Sequence, residues 1–180
     1  VFRLELIKLQ IDGKEVEAPA GSTVLEAAER AGIHIPRLCR DPELSPWGGC
    51  RLCVVEIAGM RNLPASCVTA AAPGMVVRTR SPAVVEARRT ILELLLADHP
   101  QDCLTCEKAG DCRLADYCYE YGVRESPFPG ERRRYAVEEA TPSSSATRTS
   151  ACCAAGACGP ARKLPAKTTW TSPTGVPPPG

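Results

Sequence analysis

Aromatic side chains are scarce in this sequence, at 4% of 180 residues with two Phe and two Trp, so a large aromatic core is excluded. Charge of one sign is lacking too. Lys and Arg total 22 against 21 Asp and Glu, a net charge of +1, which gives no broad field to draw nucleic acid or an anionic membrane. No apolar run reaches the roughly 20 positions that a membrane-spanning helix requires. The opening VFRLELIKLQIDGKEVEAP alternates and carries charges, unlike a signal peptide. There is no G-x-G-x-x-G and no Walker motif, so neither nucleotide binding nor turnover by this chain alone is expected.

Cysteine, in contrast, is abundant: eleven residues, eight of them before position 120. An odd number at uneven spacing, without an export signal, argues for thiolate metal ligands in a reducing compartment rather than for disulfides. The expected location is cytoplasmic, or membrane-associated through a complex.

The pattern predicts an α+β fold. Leu4, Leu6, Leu9 and Ile11, the turn signal Asp12-Gly13 and then Val16 predict a hairpin. STVLEAAERAG predicts a helix with Thr23 as N-cap, Glu26 completing a capping box and Gly32 closing it. Residues 32–52 are rich in Pro, Gly and Cys and read as a loop. CVVEIAGMRNLPASCV predicts a second hairpin turning at Ala58–Arg61, and GMVVRT one more short strand. A helix is expected from Ser81, with Pro82 at its first position and a buried stripe of Val84, Val85, Ala87, Ile91, Leu94 and Leu95. His99 falls at its C-terminal end, and DCRLADYCYEYG predicts a further short helix ending at Gly122.

Two constellations carry the chemistry. Cys39, Cys50, Cys53 and Cys67 are spaced C-x10-C-x2-C-x13-C, with Cys39 on the long loop and Cys67 at a strand end. Gly48 and Gly49, before the close pair, let backbone amides approach a negatively charged group. His99, Cys103, Cys106 and Cys112 are spaced H-x3-C-x2-C-x5-C. Three thiolates and an imidazole suit a [4Fe–4S] cluster. A neutral imidazole in place of a thiolate makes the site less negative, so it accepts an electron more readily. Both sets also admit zinc, although zinc sites usually show two short Cys pairs and the first set has one. Cys118, outside the pattern, reads as a buried helical thiol, and His34 as an ordinary loop or core residue.

The first set resembles the plant-type [2Fe–2S] ferredoxin domain, a β-grasp fold. Its altered spacing, with ILELLLADHPQDCLTCEKAGDCRLADYCYEYG downstream, resembles the N-terminal iron–sulfur region of the large iron–sulfur subunit of NADH dehydrogenase. That family includes diaphorase subunits of NAD(P)-linked hydrogenases, [FeFe] hydrogenase N-terminal regions and formate dehydrogenase alpha subunits. The resemblance implies a [2Fe–2S] ferredoxin-like domain over residues 1–80 and a small helical [4Fe–4S] domain over 81–138, with the two constellations as their respective ligands. It implies an electron-transfer subunit or fragment relaying single electrons between a flavin/NAD(P)H-binding subunit and a catalytic oxidoreductase subunit: a hydrogenase, a formate dehydrogenase or a quinone-reducing module. The alternatives are a zinc-stabilised interaction module and a truncated catalytic subunit.

ERRRY at 131–135 reads as a solvated charge run. Residues 139–180 are rich in Ala, Ser, Thr and Pro and are expected to be unstructured and to bind no cluster. Cys152, Cys153 and Cys158 fit no cluster spacing. Ala151, Ala154, Ala157 and Ala161 instead stand at C-x2-C-x2-C-x3-C intervals, and an Ala codon read one nucleotide earlier can encode Cys. The tail therefore reads as a frameshift product, with a native low-complexity segment as the alternative.

Overall fold

The computed structural model describes residues 5–129 apart from Pro42 and Gln101. The charge run at 131–135 and everything expected of residues 139–180 lie outside the described residues.

Strands β1 (Leu6–Ile11) and β2 (Lys14–Pro19) form the first hairpin, with Ile11 opposite Lys14. Asp12 and Gly13 turn it with φ of 49° and 79°, the doubly left-handed geometry that matches strand twist. Alternation puts Leu9, Ile11, Val16 and Ala18 inside. Helix α1 (Val24–Arg30) follows, and its capping box forms in both directions: the Glu26 amide donates to Thr23 Oγ1 at 3.2 Å and the Thr23 amide to Glu26 Oε2 at 2.9 Å. Left-handed Gly32 ends it, with the Ile33 amide returning to the Ala28 carbonyl at 2.8 Å.

Two short strands, β3 (Glu56–Ile57) and β4 (Val76–Arg78), complete a sheet of order β2-β1-β4-β3, in which β4 runs parallel to β1 and antiparallel to β3. The expected second hairpin shrinks to a single bridge, Val54 with Ala65, flanked by bonds from the Val55 amide to the Pro64 carbonyl and from the Ser66 amide to the Cys53 carbonyl. Pro64 has no N–H to continue a ladder, so the returning chain forms no strand and β3 pairs with β4. Cys67 consequently sits in a turn just past the bridge rather than at a strand end. Leu9, Ile11, Val55 and Val77 pack with Val24 and Leu25 of α1 into one core, which also encloses Cys53 and Cys67.

Helix α2 (Pro82–Asp98) starts at its Ser81 cap and ends at His99, which is extended ahead of Pro100 as a pre-proline residue must be. Its inward stripe differs from the expected one. Val84, Arg88, Leu92 and Leu96, at i, i+4 intervals, are buried, whereas Leu94 is 53% exposed. The apolar pattern alone omitted Arg88 because it is charged. Helix α3 (Arg113–Tyr121) ends at left-handed Gly122, as expected. Among the described residues no helix is long and apolar enough to cross a membrane.

Leu38 and Leu52 of the long loop pack with Leu92, Leu96, Leu114, Tyr117, Cys118 and Val123 into a second apolar cluster. The loop that carries Cys39 and Cys50 is thereby wedged between the sheet and the two later helices. His34 is an exposed loop residue whose ring stacks on Tyr117, with centroids 6.2 Å apart.

Candidate metal centres

Cys39 is placed by the residues on either side of it. Arg37 pairs with Glu29 at 2.6 Å and Arg40 with Glu26 at 3.3 Å, both acids on α1, so the loop is tied to the helix around the thiol. Each half-exposed pair contributes on the order of 0.5 kcal/mol. The turn at Trp47–Cys53 then brings backbone to sulfur, with the Cys50 amide 3.4 Å from Cys39 Sγ and the Gly49 amide also directed at it. Gly48 has φ of +69°, and Arg51 adopts +59°, rare for a side-chain-bearing residue. A Cβ at Gly49 would stand 2.3 Å from the Trp47 ring, so the indole lies directly on this turn.

Cys53 and Cys67 are 1% and 3% exposed and adjoin each other. The Cys67 thiol hydrogen-bonds the Cys53 sulfur, which holds Cys53 down to about 6. The same bond, with burial and the nearby sulfurs of Cys53, Cys39 and Cys50, drives Cys67 up. Burial raises Cys39 as well. The sulfurs of Cys53, Cys39 and Cys50 all act electrostatically on Cys67, although among the described residues no three His, Cys, Asp or Glu side chains stand close enough together to form a ready metal site. Such a set of sulfurs fits a cluster that requires four thiolates and amides nearby.

The second constellation surrounds a cavity of about 640 Å³ between the end of α2, the following loop and α3. His99, Cys103 and Cys112 lie on its wall with Leu96, Leu114 and Cys118. Cys112 is the N-cap of α3 but makes no side-chain capping bond, which leaves its sulfur to the cavity. Cys106 is not on the wall; its Sγ accepts from the Lys108 amide at 3.4 Å. Three of the four expected residues are thus gathered, and the fourth sits in the adjoining turn. Cys118 is helical and 7% exposed, and burial pushes its thiol up to about 11. Its place on the cavity wall had no signal in the cysteine spacing. Imidazole and thiols around an apolar cavity fit a histidine- and cysteine-held iron–sulfur cluster.

The two centres share a floor, because Cys50 and Cys112 both pack against the apolar cluster of Leu38, Leu52, Leu92 and Leu114.

Comparison with known families agrees with this geometry. Residues 5–82 match the 2Fe-2S iron-sulfur cluster binding domain, and residues 88–127 match the NADH-ubiquinone oxidoreductase-G iron-sulfur binding region. The chain thus carries both of these iron–sulfur domains. Proteins that resemble it include an NADH-quinone oxidoreductase subunit of Rhizobium meliloti, 50% identical over 128 residues, which cover 71% of this chain and 15% of the relative. The NADP-reducing hydrogenase subunit HndD of Solidesulfovibrio fructosivorans is 48% identical over 132 residues, 71% of this chain and 23% of the relative. Among solved structures, an NAD+-reducing [NiFe]-hydrogenase in the H2-reduced state superposes with a TM-score of 0.70 at 39% identity, covering 76% of this chain and 57% of that one. The chain spans between 15% and 23% of the length of these curated relatives. This region carries one [2Fe–2S] and one [4Fe–4S] cluster and serves electron transfer, and its relatives are named as subunits of larger assemblies.

Proposed function

We propose that Cys39, Cys50, Cys53 and Cys67 hold the [2Fe–2S] cluster within a unit of residues 1–80, and that His99, Cys103, Cys106 and Cys112 hold the [4Fe–4S] cluster within residues 81–138. The pair relays single electrons between a flavin-bearing NAD(P)H subunit and a hydrogenase, formate dehydrogenase or quinone-reducing module, with no turnover by this chain alone. The observation that carries the reading is the shared floor: Cys50 and Cys112 abut one apolar cluster, so the two centres are neighbours across packed side chains.

When bound, the clusters supply one-electron redox chemistry. The chain supplies placement and environment. The amides of Gly49 and Cys50 face sulfur and stabilise negative charge on it. The sheet core encloses Cys53 and Cys67 and excludes water from that side. His99 contributes an uncharged ligand and so sets the second centre apart from an all-thiolate one. Three of its four donors, His99, Cys103 and Cys112, line a cavity of about 640 Å³, which has room for a multi-iron core.

Anaerobic purification followed by iron, zinc and acid-labile sulfide analysis tests this. Iron and sulfide with two reducible EPR signals are expected, and Cys53→Ala should abolish the [2Fe–2S] signal while sparing the other. Stoichiometric zinc without sulfide would refute the proposal.

A further inference from the structure

The inward stripe of α2 contains one residue unlike its neighbours. Arg88 is 1% exposed between Val84 and Leu92. One guanidinium nitrogen donates to the Val54 carbonyl at 2.9 Å and the other to the Tyr121 hydroxyl at 2.8 Å, while Nε has no hydrogen-bond partner. Among the described residues no carboxylate pairs with it; the ion pairs there use Arg37, Arg40, Arg78, Arg89 and Lys8. A guanidinium stays protonated at any ordinary pH. A buried cation with two neutral acceptors and no counter-charge is strongly unfavourable, and truncation to an apolar residue would have removed the penalty.

The surroundings indicate what balances the charge. Val54 directly follows Cys53, so the carbonyl that Arg88 grips belongs to the residue next to a sulfur of the first centre. Tyr121 ends α3 just before Gly122 and Val123, which line the second cavity. Arg88 therefore joins the residue next to Cys53 to the last residue of α3. A cluster held by four thiolates is anionic, and reduction adds one further negative charge.

We propose that Arg88 is the buried counter-charge of the cluster pair, chiefly of the [2Fe–2S] centre beside Val54, and that it raises the potential at which that centre accepts an electron. This rests on the reading that Cys53 carries the cluster. A fixed positive charge favours the more negative redox state, and its effect is large where water is excluded. The two hydrogen bonds fix the guanidinium on Val54, the neighbour of Cys53, so its position is more constrained than that of a surface lysine.

The test is a potentiometric EPR titration of the cluster-loaded chain as wild type, Arg88→Met, Arg88→Gln, Arg88→Lys and Cys53→Ala. At a fixed solution potential, Arg88→Met and Arg88→Gln should lower the reduced-to-oxidised ratio of the [2Fe–2S] centre about tenfold, equivalent to about 59 mV for a one-electron couple. The [4Fe–4S] ratio should fall less. Arg88→Lys keeps the charge and should stay within about twofold of wild type. An unchanged ratio in Arg88→Met with intact signals overturns the assignment, as does a tenfold fall in Arg88→Lys. If the neutral variants fail to retain the [2Fe–2S] cluster, its occupancy decides: retention in Arg88→Lys at the wild-type level supports the counter-charge, and loss in Arg88→Lys as well overturns it. A [2Fe–2S] signal that survives Cys53→Ala removes the ligand reading and this proposal together. A signal lost there, alongside an unshifted Arg88→Met, removes only the role of Arg88.

Discussion

A methyl group at position 49 should destabilise the protein when Trp47 is present and not when it is absent. The Cβ of Gly49→Ala would fall 2.3 Å from the indole ring, well inside contact distance, so the ring must move. Trp47 is 47% exposed, and displacing it forfeits the half of its surface that is covered. A Trp side chain buries roughly 150–250 Å² in full, so about 100 Å² is at stake, or at most about 2.5 kcal/mol at 25 cal/mol per Å². Opposing this, Ala in place of Gly restricts the unfolded chain and returns about 0.4–1 kcal/mol, because the backbone at 49, unlike that at 48, is not left-handed. The net loss is about 1.5–2 kcal/mol. That is a fall of roughly 6–8 °C in Tm at about 4 °C per kcal/mol for a domain of this size. In a Trp47→Ala background the clash is gone, and Gly49→Ala should be neutral or slightly stabilising. The assay is a double-mutant cycle of thermal unfolding on cluster-loaded protein at one scan rate, followed by visible absorption and far-UV circular dichroism. Equal losses in both backgrounds would refute the reasoning and place the demand for glycine in the approach of the Gly49 amide to sulfur.

The His99 assignment can be checked through its charge. His99→Cys should retain a [4Fe–4S] cluster and lower its potential, read by EPR titration, and an unchanged potential would argue against histidine as a ligand. Leu92, fully buried at the junction of the long loop and both later helices, should cost about 3 kcal/mol as Leu92→Ala and lower Tm by about 10 °C. A fall under about 3 °C would mean that the shared apolar floor does not hold the halves together.

What could be read from the sequence was local. The Asp12-Gly13 turn, the Thr23–Glu26 box and the Gly32 and Gly122 stops are short-range signals, and each appears where expected. Long-range choices were harder. Nothing in GMVVRT announces that Val76–Arg78 will lie parallel to β1, because that pairing depends on how α1 crosses the sheet. Pro64 was visible, but its consequence was not: a missing donor reduced a hairpin to one bridge and handed β3 to another partner. On α2 the apolar count misplaced the stripe, since a buried Arg88 is legible only once its acceptors, Val54 and Tyr121, are in place. At the first site, spacing grouped four cysteines whose sulfurs influence one another electrostatically. At the second it could not show Cys118 on the cavity wall or Cys106 off it, which the winding of α3 and the turn at 106–109 determine.

The loop of residues 32–52 serves both halves at once: it carries Cys39 and Cys50, and its Leu38 and Leu52, with Cys50 beside them, pack against the cluster built on Leu92 and Leu96. Grafting an unrelated ferredoxin onto the later helices would therefore strip them of their lining and leave Leu92 and Leu96 wet. Transplants between this chain and its relatives should respect that seam, exchanging the loop together with the helix it covers.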